Sequence, residues 1–247
     1  TDRWVIPLAE STTVGVELVG GKARTRGGLR RGGWRVPPGV VVSTLAYDRF
    51  QRAGDLTRRV RMELGRKPFE SMRWEEIWDV ALRIRSAFVA NPVPVELVRA
   101  IGAAVEGLGT STPLAVRSSA PGEDSASRSF AGLHESVVGV AGTEAVLDAV
   151  RVVWASLWSD AALLYRHELA LDPALSRMAV VVQELVEGQR SGVCFTVDPR
   201  DPAQALVEAV HGLNQGLVDG TVEPDRWELD REAGRPTTHR AAPGTRW

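Results

Sequence analysis

Short apolar runs separated by glycine, proline and polar residues predict a series of β-strands. Two of the runs, at residues 40–43 and 179–182, indicate buried strands. The predicted strands cover residues 40–43, 114–116, 137–140, 179–186, 193–197 and 205–210.

Longer segments carry features of helices, chiefly apolar residues that recur at helical spacing. The first predicted helix ends at Gly32-Gly33, Thr44 is expected to cap the next one, and Asn91-Pro92 is expected to start another. The predicted helices cover residues 22–31, the residues after Thr44, 74–89, 92–108 and 144–169.

Three stretches show no period and are expected to be irregular: residues 54–73, 120–132 and 231–247. Helices and strands are mixed, with long gaps between strands. This pattern favours an α/β or α+β fold over a β-sandwich or a helix bundle. A turn at Glu187-Gly188 predicts a boundary between a first lobe, residues 1–187, and a second, truncated lobe, residues 188–247.

The composition of the chain excludes several classes of protein. With 247 residues, 44% of them hydrophobic, the chain is long enough to fold without disulfides. Its formal net charge of −1 gives no general attraction to nucleic acid or to an anionic membrane. A single cysteine, Cys194, excludes a disulfide framework, and we expect it to be an inert core residue. With no apolar signal core at the start, these features predict a cytoplasmic protein.

Lysine is rare in this chain. Lys22 and Lys67 are the only lysines among 30 basic residues. A position that keeps lysine in such a background either needs a compact charge on a flexible stem or carries a surface lysine by chance. Both interpretations are open at this point.

Lys22 follows the pair Gly20-Gly21. This is not a P-loop, because Gly21 stands where that motif has lysine and Ala23 carries no hydroxyl. The N–H groups and dipole of a helix start could still hold an anion. The alternative is a simple turn from a loop into a helix.

Arg117 emerges from an apolar strand in the run Arg117-Ser118-Ser119. An unpaired cation is costly there, so Arg117 should meet a carboxylate or a phosphate. The first option is a structural pair with Glu123 or Asp124. The second is a phosphate-binding site, and spacing alone does not separate the two.

Gln183-Glu184 follows an all-valine strand, as expected either for an adenine pocket or for an ordinary amphipathic strand end. Other site types lack their motifs. The sequence has no G-x-G-x-x-G after a strand and no metal-ligand spacing, although His134 and Glu135 are adjacent.

The order of the motifs is more specific than any one of them. Gly-Gly-Lys is followed by Val-Pro-Pro-Gly, Arg-Ser-Ser, Ser-Phe-Ala-Gly, Trp-Ala-Ser-Leu-Trp, Tyr-Arg, Val-Val-Gln-Glu and Ser-Gly-Val-x-Phe-Thr-x-Asp-Pro. This series resembles the N-terminal ATP-binding domain of the phosphoenolpyruvate synthase and pyruvate phosphate dikinase family, which includes rifampicin phosphotransferase-like enzymes.

The resemblance implies an ATP-grasp-like fold, in which two lobes clamp ATP, and it assigns roles by position. Lys22 and Arg117, the expected catalytic residues, would hold the phosphates. Gly132 and Ser136 would lie on a mobile loop above them. The remaining cofactor-binding positions would be Gln183, Glu184 and Val186 at the adenine, with Gln189 near the nucleotide.

The resemblance also implies a reaction. ATP would give AMP and phosphate, and the β-phosphate would pass through a phosphohistidine, on a swivelling domain or partner subunit, to pyruvate or a small-molecule hydroxyl. Magnesium (Mg²⁺) would take part, with ligands expected outside this sequence.

Departures from the family pattern favour an alternative, a degenerate module that binds nucleotide without catalysis. Asn214-Gln215 stands where relatives carry Gly-Glu, and Ala161 where arginine is usual. The Ser-His motif of the swivelling domain is missing, and His239 is interpreted as coincidence.

Overall fold

A computed structural model describes residues 3–121, 124–125, 128–129, 135–172, 176–198 and 200–243. The chain divides into two compact units, Thr1–Leu185 and Val186–Trp247. Each unit contains its own antiparallel sheet, so the fold is a mixed α+β architecture. That the units are the two lobes of a nucleotide clamp stays a prediction.

The first unit contains most of the helices. These are α1 (Val16–Arg31), α2 (Thr44–Ala53), α3 (Leu56–Leu64), α4 (Trp74–Ala90), α5 (Val95–Leu108), α6 (Thr143–Ser156) and α7 (Asp160–Glu168). Within the described residues, no single helix is long and apolar enough to cross a membrane; α4 and α5 reach that length and composition only when counted together across a 76° bend.

Five strands of the first unit form an antiparallel sheet with the spatial order β1-β2-β7-β3-β6. They are β1 (Val5–Pro7), β2 (Gly39–Val42), β3 (Leu114–Ser119), β6 (Ser136–Val140) and β7 (Ala179–Glu184). The two-residue strands β4 (Asp124–Ser125) and β5 (Arg128–Ser129) pair separately.

The sheet is covered on both faces, which explains the valine runs. Val180 and Val182 of β7 pack into the larger core, together with helices α2 to α6. Ala179 and Val181, which alternate with them, pack into a smaller core with α1. The strand that carries Arg117 therefore lies between two apolar layers.

Aromatic side chains fill the larger core. Trp154 of α6 is fully buried and its ring centroid lies 4.8 Å from that of Phe50 and 5.7 Å from that of Tyr47. The indole N–H of Trp154 donates to the carbonyl of Met178 at 3.1 Å, so its polar atom is satisfied. This side chain joins α6, α2 and the segment that leads into β7.

Several sequence expectations about helices were wrong. Residues 54–73 are not irregular throughout, because they contain α3, whose buried residues Leu56 and Val60 are too few to show a period. The fifth helix begins at Val95, because the prolines before it lack the backbone N–H of a helix interior. The segment 144–169 is two helices, because the Ser159 side chain accepts the Ala162 N–H and starts α7 afresh.

Arg166 and Trp158 stabilise the break between α6 and α7. The Arg166 guanidinium donates to the carbonyl of Leu157 and lies 5.1 Å from the centroid of the Trp158 ring. Burial lowers the pKa of Arg166 to about 10, so the side chain stays charged at neutral pH. The Tyr-Arg motif of the sequence is in this respect a packing motif.

The second unit is a four-stranded antiparallel sheet with the order β11-β10-β9-β8. Its elements are β8 (Arg190–Phe195), β9 (Gln204–His211), the short helix α8 (Gln215–Val218), β10 (Asp225–Asp230) and β11 (Pro236–Arg240).

Two expectations about the second unit were wrong. Residues 231–247 were expected to be a loop, yet they contain β11, an edge strand whose residues are all exposed and so show no apolar alternation. Cys194 was expected in the core, but it is exposed, because β8 is the other edge strand of this sheet.

Candidate functional site

Helix α1 is broken at Gly20. The backbone angles there are φ 75° and ψ 168°, which lie outside the helical region and are accessible to glycine far more readily than to other residues. Glycine is also required for space, because a Cβ atom at this position would lie 1.9 Å from the carbonyl oxygen of Ser119. The expected helix over 22–31 is thus the second segment of a longer helix that begins at Val16.

The hydroxyl of Ser119, at the end of β3, fills the break. Ser119 Oγ accepts the N–H of Ala23 at 3.1 Å and donates to the carbonyl of Val19 at 2.8 Å. Val19 and Ala23 are four residues apart, so they are the pair that would bond directly in an unbroken helix. The Thr44 hydroxyl, expected to cap its own helix, instead donates to the carbonyl of Glu17 at 2.8 Å.

Lys22 lies two residues beyond the break. Its Nζ donates to Ser118 Oγ at 3.2 Å, so the ammonium group reaches the strand residue that directly follows Arg117. Ser118 and Arg117 point to opposite faces of β3. That both cations meet one phosphate chain therefore stays a prediction.

Arg117 is half-buried on β3. Within the described part of the chain, its guanidinium makes neither a salt bridge nor a side-chain hydrogen bond. Of the two acidic partners expected for it, Glu123 and the side chain of Asp124 lie outside the described residues. Whether Arg117 meets a carboxylate or a phosphate therefore stays a prediction.

Ser136 lies beside Arg117. It is the first residue of β6 and the cross-strand partner of Arg117, so the two side chains share a face of the sheet. The expectation that Ser136 lies on a loop was wrong, because the valine-rich strand already starts there and pairs with β3. Gly132, the other residue assigned to that loop, lies outside the described residues.

Gln183 and Glu184 end β7 against Pro37 and Pro38, the two residues that precede β2. Gln183 is 6% exposed, and its Nε2 donates to the Pro37 carbonyl at 2.8 Å. The backbone N–H of Glu184 donates to the Pro38 carbonyl at 3.0 Å. Two consecutive proline carbonyls therefore fix the end of this strand. The sequence pattern did not indicate these contacts, because Pro37 and Gln183 are 146 residues apart along the chain.

Val186 and Gln189 belong to the second unit. Val186 is exposed, and the carbonyl of Gln189 accepts the N–H of Gly212 at 2.8 Å. Their assignment to a nucleotide site stays a prediction.

A comparison with protein-family models decides the relationship. The model described as "Pyruvate phosphate dikinase, AMP/ATP-binding domain" matches residues 16–243. This chain belongs to that family. The match includes α1 with its break, the whole of β3 and the four strands of the second sheet.

Relatives of the dikinase AMP/ATP-binding domain point the same way. A phosphoenolpyruvate synthase of Aeropyrum pernix is 39% identical over 236 residues, which is 93% of this chain and 29% of that protein. A rifampicin phosphotransferase of a Streptomyces species is 37% identical over 231 residues, 90% of this chain and 26% of that protein. A probable phosphoenolpyruvate synthase of Methanothermobacter thermautotrophicus is 34% identical over 226 residues, 89% of this chain and 33% of that protein. The chain thus spans about a third or less of these relatives.

Magnesium has no evident site in the part of the chain that the structure describes. Among the residues that the structure describes, no group of three or more His, Cys, Asp or Glu side chains could hold a metal ion. His239, which was interpreted above as a coincidental match to the swivelling-domain motif, stacks on Trp227 with 4.7 Å between ring centroids. Its Nε2 lies 3.4 Å from Asp225 Oδ1. These contacts give His239 a place in the packing of the second sheet.

The close contact between Gly39 of β2 and the backbone of β7 leads to a first prediction. A Cβ atom on Gly39 would lie 2.6 Å from the carbonyl oxygen of Val182, a backbone atom that cannot move freely. We expect Gly39→Ala to lower the free energy of unfolding by about 1–3 kcal/mol. Urea denaturation followed by circular dichroism measures this change.

Gly107 provides the matched control for this prediction. It lies in α5, where a Cβ atom would have no neighbouring group within 4 Å. Gly107→Ala should therefore raise the free energy of unfolding by about 0.4–1 kcal/mol. If Gly39→Ala and Gly107→Ala changed the free energy of unfolding equally, the close contact described between Gly39 and Val182 would be contradicted.

Proposed function

We propose that this chain is the ATP-binding domain of a phosphotransferase and that the break in α1 marks its phosphate site. The observation that carries the proposal is the contact of Lys22 Nζ with Ser118, next to Arg117, whose charge has no acidic partner among the described side chains. The Lys22 ammonium at Ser118 and the guanidinium of Arg117, the residue before it, bring two positive charges to β3, which favours a polyanionic ligand.

Three kinds of group are available to phosphate oxygens at this strand end. The helical segment after Gly20 offers N–H groups at its start, together with the positive end of the helix dipole. Lys22 supplies a compact charge and Arg117 a planar fork of donors. Ser136, opposite Arg117, adds a hydroxyl. This donor set suits phosphate chemistry.

The adenine would lie toward the other end of β7. Ser118 is paired with Val180, and Glu184 lies four residues further along the strand, which corresponds to about 13 Å. Gln183 lies on the same sheet face as Arg117, two positions beyond its partner Val181. The distance of about 13 Å along β7 from Val180 to Glu184 is comparable to the distance from the adenine ring of ATP to its terminal phosphates. Val186 and Gln189 would complete the nucleotide site.

The proposed reaction is the one that the family resemblance implies. ATP would be cleaved to AMP and phosphate, and the β-phosphate would pass through a phosphohistidine to pyruvate or a small-molecule hydroxyl. The histidine and the ligands of Mg²⁺ would lie outside the present sequence. We further propose that the two units are the lobes of an ATP-grasp-like clamp. The family match and the relatives' greater length support this arrangement.

Calorimetric titration tests the proposal directly. The chain should bind ATP in the presence of Mg²⁺ more tightly than it binds adenosine, because the proposed site recognises phosphates. Supplying the phosphohistidine domain of a relative should then yield AMP. Absence of binding to ATP, ADP and AMP would overturn the proposed function, whereas binding without AMP formation would favour the degenerate module.

A further inference from the structure

The hydroxyl of Ser119 has an unusual place in the fold. The side chain is completely buried and bonds to both ends of the interruption in α1, the Val19 carbonyl and the Ala23 N–H. A polar side chain inserted between such a pair is a recognised cause of helix kinks. Here the inserted group comes from the sheet, from the strand that also carries Arg117.

This arrangement has a geometric consequence for Lys22. The residues between Val19 and Ala23 include Gly20, Gly21 and Lys22, so the bridge closes around the predicted phosphate-binding turn. Without the hydroxyl, the Val19 carbonyl and the Ala23 N–H would both be buried without a partner, or the two would close up into a regular helix. Either change would shift the N–H groups and the side chain of Lys22 relative to β3.

We propose that Ser119 is a positioning residue for phosphate binding, which holds α1 open at Gly20 and fixes Lys22 against Ser118 of β3. It acts through the helix backbone and does not itself touch the nucleotide. The inference rests on the proposed function, since it assigns a role within the same ATP site. The space requirement at Gly20 supports it independently, because the glycine backbone and the serine hydroxyl fit each other at this point.

Ser11 provides a matched control on the same helix. It is also completely buried, and its Oγ lies 2.8 Å from the carbonyl oxygens of both Leu8 and Ala23, to either of which its single O–H can donate. Ser11→Ala therefore removes a buried hydroxyl that contacts α1 but does not bridge the break. A purely structural role for Ser119 predicts that the two alanine variants behave alike.

The test compares binding of ATP and of adenosine to the full chain by calorimetry, with thermal unfolding of each variant as a check on folding. We expect Ser119→Ala to weaken ATP binding by roughly tenfold, the equivalent of about one charged hydrogen bond. Its adenosine affinity should stay within about twofold of the wild type. Ser11→Ala should leave the ratio of ATP to adenosine affinity unchanged, even where its unfolding midpoint falls as much.

The possible outcomes separate the two proposals. If the wild type binds ATP and both alanine variants show the same ratio of affinities, Ser119 has no positioning role and the proposed function stands. If the wild type binds no ATP, both are overturned. Should Ser119→Ala fail to fold, Ser119→Cys, with its weaker hydrogen-bonding group, is measured in its place against Ser11→Cys. An ATP-selective loss in Ser119→Cys supports the proposal, and its absence overturns it.

Discussion

Lys22→Ala is expected to weaken ATP binding by about 10- to 100-fold, because a hydrogen bond to a charged group is worth about 1.5–3 kcal/mol and each 1.4 kcal/mol is tenfold in affinity. Arg117→Ala should have a similar effect. Arg117→Lys should recover only part of the affinity, because lysine keeps the charge but loses the planar fork of donors. Calorimetric titration of ATP measures all three variants.

The other lysine of the chain is the control. Lys67 donates to Glu76 at 2.9 Å, on the N-terminal turn of α4, and has no assigned role in binding. Lys67→Ala removes the same charge from the molecule, so it corrects for any general change in electrostatic attraction. ATP affinities that fall equally in Lys22→Ala and Lys67→Ala would contradict the proposed phosphate site.

Trp154→Ala should cause the largest loss of stability. Replacing a buried tryptophan by alanine costs about 3–5 kcal/mol, and here the carbonyl of Met178 would also lose its donor. In a chain of this size, the midpoint of thermal unfolding should fall by roughly 10 °C. Differential scanning calorimetry measures the change.

Trp78 shows why burial, not residue type, determines this effect. It lies on α4 with 43% of its surface exposed, although in the sequence it belongs to the same helical pattern of apolar residues as its buried neighbours. Trp78→Ala should change the unfolding midpoint by only a small fraction of the Trp154→Ala effect. A comparable fall in both variants would contradict the assignment of Trp154 to the main core.

The sequence predicted four of the five strands of the first unit's main sheet, because they contain valine-rich apolar runs, but it did not predict β1. The strand at 114–116 extends to Ser119, and the strand at 179–186 ends at Glu184. Prediction failed where an element buries too few side chains to produce a hydrophobic pattern in the sequence. The helix α3 buries few residues, and β11 buries none of its residues, so neither produces a hydrophobic period.

The candidate site was predictable only in part. Lys22, Arg117 and Gln183 could be named from motif order and from the scarcity of lysine. The bridge from Ser119 to Val19 spans 100 residues of sequence, and the contact from Gln183 to Pro37 spans 146. No local pattern encodes contacts of that separation, because they depend on which strands become neighbours in the sheet.

The anchoring of α1 to β3 also constrains how a bound nucleotide could leave. The Gly20 turn is fastened to an inner strand of the sheet, between β7 and β6. Releasing the turn from Ser119 would leave the Val19 carbonyl and the Ala23 N–H, both in fully buried residues, without this partner. We therefore expect the turn to open rarely, so that a bound nucleotide would leave without local unfolding of this segment.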